Sequence, residues 1–159
     1  MKATTVAVIV ITAAVGLATI SLAQQPTTPV RVIDGDTLAM GTDRIRLWGI
    51  DAPEALQTCS ASNGTEYQCG RDAGAVMREL TAHGVSCTAK TRDRYGRTVA
   101  TCSNAAGDIG EQMVRRGWAI DYTRYSGGAY AQAQREAQAE KLGLWSGRFT
   151  MPEEFRHRR

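Results

Sequence analysis

Lysine is nearly missing from this 159-residue chain: of its 19 basic residues only Lys2, Lys90 and Lys141 are lysines, and the rest are arginines. A surface built to attract nucleic acid or membrane in bulk would show in the net charge, and +3 is too small to name a partner. Histidine is scarce as well. His83 and His157 are the only two, so chemistry that needs paired imidazoles has one pair to draw on. There are four cysteines but no CxxC pair, which argues against a zinc site. Internal repeats, low-complexity stretches and a second domain are also missing, and the length suits one domain with its own core. The arginines remain. A guanidinium is a planar fork that stays protonated and grips phosphate or carboxylate through paired bonds.

The first 23 residues read as a secretory signal peptide. Lys2 precedes an apolar run from Ala3 to Leu22, Ser21-Leu22-Ala23 has the small-x-small form of a cleavage site, and Gln24-Gln25-Pro26 breaks the run. An uncleaved anchor is the alternative, since about 20 residues can span a bilayer. Cleavage after Ala23 leaves 136 residues at a net charge of +2, with a polar lead-in over 24–29, a main domain over 30–150 and a basic tail over 151–159. Arg156–Arg159 reads as a frayed, solvated end. The expected location is secreted or periplasmic, with no stable membrane association after cleavage and a monomer as the default.

An oxidising compartment pairs cysteines. Residues 85–92 and 97–103 are Thr/Val-rich and flank Asp93-Arg94-Tyr95-Gly96, a turn ending in glycine. With Arg92 facing Arg97, Cys87 falls opposite Cys102, within disulfide reach. Cys59 is then left to Cys69. Four free buried thiols are the other reading.

Strands are expected over Thr28–Ile33, Thr37–Met40 and Arg44–Ile50, the last stopped before Pro53. Arg71–Ala82 carries Ala73, Val76, Met77 and Leu80 at helical spacing, with Gly84 beyond. A second helix starts at Asp108 with Glu111 three residues on, and a third covers Ala129–Leu142 before Gly143. Five strands with one helix after the third suggest a small closed barrel of the OB type.

Chemistry concentrates in three clusters: Asp34-Gly35-Asp36-Thr37, Arg46 through Glu54, and Asp93 through Arg97. Asp36, Asp51 and Glu54 offer hard oxygen ligands for a cation such as Ca²⁺. Turn chemistry, strand termination and surface exposure are their respective plain alternatives. Arg46 sits within an apolar strand, where a charge is costly unless paired, so it points into a polar pocket or lies on an exposed face. Arg97 is a second phosphate contact or an ordinary hairpin-tip charge. Two arginines, a cation and a carboxylate that activates water together make a phosphoryl site. Arginine stays protonated and cannot be the base, which leaves Glu54 as the general base or as the group that positions the water.

In order and type, these three clusters resemble the staphylococcal nuclease-like (thermonuclease) family, and the likeness extends from about Val30 to Trp145 through Glu111–Trp118 and Gly143-Leu144-Trp145. The resemblance implies an α+β fold, a five-stranded OB-fold β-barrel with three helices. It implies Ca²⁺-dependent cleavage of phosphodiesters in DNA and RNA that leaves 3′-phosphates. By position it places Ca²⁺ on Asp36, Asp51 and the carbonyl of Ala52, phosphate on Arg46 and Arg97, the attacking water on Glu54, and a supporting carboxylate at Asp34. Tyr122 and Tyr125 fall near the family's nucleotide-side tyrosines, or simply pack. The four cysteines and a short Met40–Arg46 link depart from the founding members. Two other readings stand beside the nuclease: a catalytically inactive OB module that binds nucleic acid, and an envelope protein-interaction domain.

Overall fold

A computed structural model describes residues 29–158. The expected signal segment, nearly all of the polar lead-in and Arg159 lie outside the described residues.

The strands are β1 (Val30–Val32), β2 (Thr37–Met40), β3 (Asp43–Leu47), β4 (Ile50–Asp51), β5 (Cys59–Ser60), β6 (Glu66–Tyr67), β7 (Ser86–Arg92), β8 (Thr98–Asn104), β9 (Gly107–Asp108) and β10 (Ile120–Asp121). The helices are α1 (Cys69–Thr81), α2 (Ile109–Arg115), α3 (Thr123–Ser126), α4 (Ala131–Ala139) and α5 (Pro152–His157), with a 3-10 turn at Gly143–Ser146. The five expected strands form the main path, in the order β1-β2-β3-β8-β7, and β9 adds a short ladder to β8. All these pairs are antiparallel except β3 with β8.

The sheet curls as a half-barrel, consistent with an OB fold. Among the described residues no ladder joins β1 to β7, so the barrel is open along that edge. β1 is only three residues long, and beside it the Met40 sulfur of β2 lies 3.9 Å from the Cys87 sulfur of β7. Leu38 and Leu47 from the sheet, Met77 and Leu80 from α1, and Ile109, Met113 and Val114 from α2 fill the concave side as one core. The α1 stripe of Ala73, Met77 and Leu80 is buried as its spacing predicts, and the Asp108 carboxylate caps α2 by accepting the Glu111 N–H.

Three further expectations change. The single strand over Arg44–Ile50 breaks at Trp48-Gly49. Gly49 has φ +74°, and a Cβ there would lie 2.9 Å from that of Ser126, so the chain turns where only glycine fits. Past the turn, β4 leaves the main sheet and pairs with β10, Asp51 opposite Ile120. In the hairpin, Arg92 faces Thr98 rather than Arg97, because Lys90 is a bulge between Ala89 and Thr91. Below the bulge Cys87 still faces Cys102 and both disulfides form, Cys87–Cys102 and Cys59–Cys69. Finally, among the described residues the three expected helices, α1, α2 and α4, are joined by two short ones, α3 and α5. The end at Arg156 is not frayed: α5 begins on a wholly buried Pro152 and its side chains reach the site described next.

Candidate active site

The site is built where β2, β3 and β4 meet. The β2–β3 register sets Thr37 opposite Arg46, and the Leu47 N–H donates to the Asp36 carbonyl at 2.8 Å. Arg46 therefore turns off β3 toward the residue just ahead of β2. The Gly49 turn brings β4 back alongside, so Asp51 arrives on the other side of the same guanidinium. Arg46 donates to Asp36 Oδ1 and to Asp51 Oδ1, both at 2.7 Å. The sequence offered two readings of Arg46, and the structure selects the polar pocket.

Each carboxylate has further partners. Asp36 Oδ1 accepts the Thr37 hydroxyl at 2.9 Å and Asp36 Oδ2 the Ala52 N–H at 3.0 Å. Asp34 Oδ1 accepts the Asp36 N–H at 3.1 Å, an Asx turn that sets the entry to β2. Asp36 and Asp51 are buried, and two charges out of water need this degree of hydrogen bonding to persist. Burial and the adjacent Asp36 charge push Asp34 up to about 7. Burial also pushes Asp51 up, against the hydrogen bond from Arg156. For Arg46 burial opposes the charged form, but Asp36 and Asp51 outweigh it and hold the guanidinium firmly charged.

Glu54 follows Pro53 in a loop braced at several points. The Gln57 side chain is fully buried; its Oε1 accepts the Glu54 N–H at 3.2 Å and its Nε2 donates to the Thr150 carbonyl at 2.7 Å. The Gly70 N–H donates to the Gln57 carbonyl at 3.1 Å, and a Cβ at Gly70 would sit 1.7 Å from the Glu54 carbonyl oxygen. The start of α1 thus lies directly on the loop, beside the Cys59–Cys69 bridge.

Sequence reasoning missed Arg156. Its Nη1 donates to Asp51 Oδ1 at 2.9 Å and to Glu54 Oε1 at 2.8 Å, and its Nη2 to Asp51 Oδ2 at 3.1 Å. A signal was present: Pro152 at the first helical position, Glu153-Glu154 in the first turn and Arg156-His157 in the last outline a short helix with complemented dipole.

Asp34, Asp36, Arg46, Asp51, Ala52 and Glu54 are therefore gathered together, and Arg97 is held separately. Its Nε donates to Asp93 Oδ2 at 2.7 Å within the hairpin turn. It precedes β8, two residues before Val99, which pairs with Arg46. Tyr95 at the same tip is 68% exposed, with the Arg94 and Arg97 guanidiniums 4.9 and 5.5 Å from its ring centroid. Tyr122 packs edge-on against the exposed Tyr125, with ring centroids 5.0 Å apart, and burial together with the Glu153 carboxylate of α5 pushes its phenol above the ordinary value.

The donor set suits a hard cation. Among the described residues no three His, Cys, Asp or Glu side chains form a metal-ligating group. Asp36 and Asp51 are nonetheless drawn to one guanidinium, and the Ala52 peptide lies beside Asp36. Among the described residues the three carboxylates Asp36, Asp51 and Glu54 share two guanidiniums, Arg46 and Arg156, and Asp34 stands behind Asp36. That acidic excess, with all-oxygen donors, fits a divalent cation held by two carboxylates, a carbonyl and water.

Known proteins resemble the chain over most of its length. The profile described as staphylococcal nuclease homologue matches residues 44–147, more than half of the chain. The chain is 36% identical over 117 residues to the succinoglycan biosynthesis protein ExoI of Rhizobium meliloti (strain 1021), an alignment covering 72% of this chain and 61% of that one. It is 37% identical over 130 residues to an uncharacterized endonuclease of Escherichia coli O157:H7, covering 77% and 78%. To the micrococcal nuclease of Shigella flexneri it is 34% identical over 134 residues, covering 74% and 71%.

Proposed function

Because the chain belongs to the family of staphylococcal nuclease homologues, we propose that it is a Ca²⁺-dependent nuclease that hydrolyses phosphodiester bonds of DNA, RNA or both and leaves 3′-phosphates. The observation that carries this reading is the convergence of Asp36, Arg46 and Asp51 on one polar network around two buried carboxylates, to which the half-buried Glu54 is joined through Arg156.

Asp36, Asp51 and the Ala52 carbonyl would hold Ca²⁺, which supplies positive charge to offset the phosphate. Arg46, fixed by two carboxylates, presents its remaining edge to a phosphoryl oxygen. Arg97 spends only its Nε on Asp93, and its terminal amino groups are the second clamp. Glu54 accepts a proton from water as the water oxygen bonds to phosphorus. The bond from phosphorus to the 5′-oxygen breaks, and that oxygen takes its proton from solvent. The Tyr95, Tyr122 and Tyr125 rings, with Arg94 and Arg124 against them, suit stacked bases and a tracked backbone.

Two disulfides suit an oxidising compartment, and no helix among the described residues is long and apolar enough to cross a membrane. We place the protein in the periplasm or the medium, as a monomer freed of its signal segment. The test is cleavage of DNA and RNA with Ca²⁺ and with chelator, for wild type and Glu54→Gln. The variant is expected to lose most turnover and keep Ca²⁺ and nucleotide binding. Full-rate cutting by Glu54→Gln removes Glu54 as the base. Binding without cleavage in the wild type turns the reading to a silent binding module.

A further inference from the structure

The C-terminal segment reaches the site by a defined route. Ser60 and Arg148 exchange backbone hydrogen bonds of 2.9 and 2.8 Å, the buried Gln57 amide binds the Thr150 carbonyl, and Pro152 is buried. These contacts set where Arg156 stands, with its side chain only 33% exposed. Its Nη1 is shared between Asp51 and Glu54, and its Nη2 closes a second bond to Asp51. Among the described residues Glu54 pairs with no other side-chain cation: Arg46 bonds Asp36 and Asp51, and Arg97 bonds Asp93.

We infer that Arg156 is a positioning residue of the active site, which holds the Glu54 carboxylate at a set place beside Asp51 and draws on the same Asp51 carboxylate as the cation. The inference rests on the proposed roles of Glu54 and Asp51. Without the guanidinium, Glu54 swings on a loop end and is repelled by Asp51. A misplacement of about 1 Å at a catalytic group costs on the order of 10²-fold in rate. Asp51 at the same time loses a competing cation, so metal binding tightens. A residue with only a structural role lowers both quantities together. A latch that must leave before turnover raises both when removed.

The experiment uses the full oxidised chain. Ca²⁺ affinity is measured by calorimetry without nucleic acid, beside kcat and KM on single-stranded DNA, for wild type, Arg156→Gln and Arg156→Lys. Arg156→Gln is expected to bind Ca²⁺ about tenfold more tightly, as removal of a nearby like charge requires, and to lose about a hundredfold in kcat with KM little changed. Arg156→Lys keeps the charge without the fork, so its Ca²⁺ affinity stays near wild type and its kcat falls between. Ca²⁺ affinity that is unchanged or weaker in Arg156→Gln overturns the inference, and so does a kcat that is unchanged or higher. If Glu54→Gln, run in parallel, cuts at full rate, the base assignment fails, and the calorimetry still judges the Asp51 half.

Discussion

Replacing Arg46 by methionine keeps most of the side-chain volume and removes the charge that two buried carboxylates share. The side chains involved are 14% exposed for Arg46, 3% for Asp36 and none for Asp51. Asp36 would be left with the Thr37 hydroxyl and the Ala52 N–H, and Asp51 with Arg156 alone. Removing one partner of a buried ion pair costs about 3–5 kcal/mol, because the remaining charge stays desolvated. Total stability of such a domain is about 5–15 kcal/mol. At about 3–4 °C per kcal/mol for a domain of this size, the melting temperature should fall by about 10–20 °C. Urea and thermal unfolding followed by circular dichroism, at pH 7 with chelator and intact disulfides, measure this apart from catalysis. Arg46→Lys should lose less, since one charge-assisted bond survives of two. A loss below about 1 kcal/mol for Arg46→Met would refute the reasoning, because exposed pairs have that value and the network would then be solvated.

The two disulfides should separate in function. Their sequence separations of 10 and 15 give similar loop entropies, about 3 kcal/mol each, so Cys→Ser double substitutions should destabilise alike. Cys59→Ser/Cys69→Ser should nevertheless lose more specific activity than Cys87→Ser/Cys102→Ser, because only the former bridge lies beside the Gly70 contact to the Glu54 loop; equal losses contradict this. At the hairpin tip, burial opposes ionisation of Asp93, but hydrogen bonds from the Arg97 side chain and the Arg97 and Tyr95 N–H groups outweigh it and hold its carboxyl below the ordinary value. Its stabilising effect is therefore complete above the unfolded value of about 3.9 and is lost as pH falls through the lower folded value. The difference in melting temperature between wild type and Asp93→Asn should be full at pH 6 and shrink below pH 4; a difference constant with pH counts against it.

Much of the fold was legible locally. β2 spans Thr37–Met40 as read, α1 lies within two residues of its expected bounds, and Asp108 caps α2, because alternation, helical spacing and capping are short-range rules. The cysteine pairing came out right from a tip register that was one residue off. The Lys90 bulge absorbs that residue, and Lys90 sets its ammonium 4.4 Å from the Trp48 ring centroid. No local pattern in the sequence announces such a bulge.

The sequence by itself determined which groups could do chemistry: a few carboxylates and arginines in three ordered clusters, with histidine and lysine too scarce to compete. For Arg46 it left two places open, a polar pocket or an exposed strand face. Only the tertiary structure decided how these groups are shared. Arg46 bridges two aspartates because the Gly49 turn folds β4 back beside β2. Arg97 is tied within its own hairpin. Arg156, 105 residues from Asp51 along the chain, enters the site because the buried Pro152 and Gln57 carry α5 there. Desolvation is the physical reason: a buried carboxylate takes whichever cation packing brings within reach, and packing is a property of the whole chain.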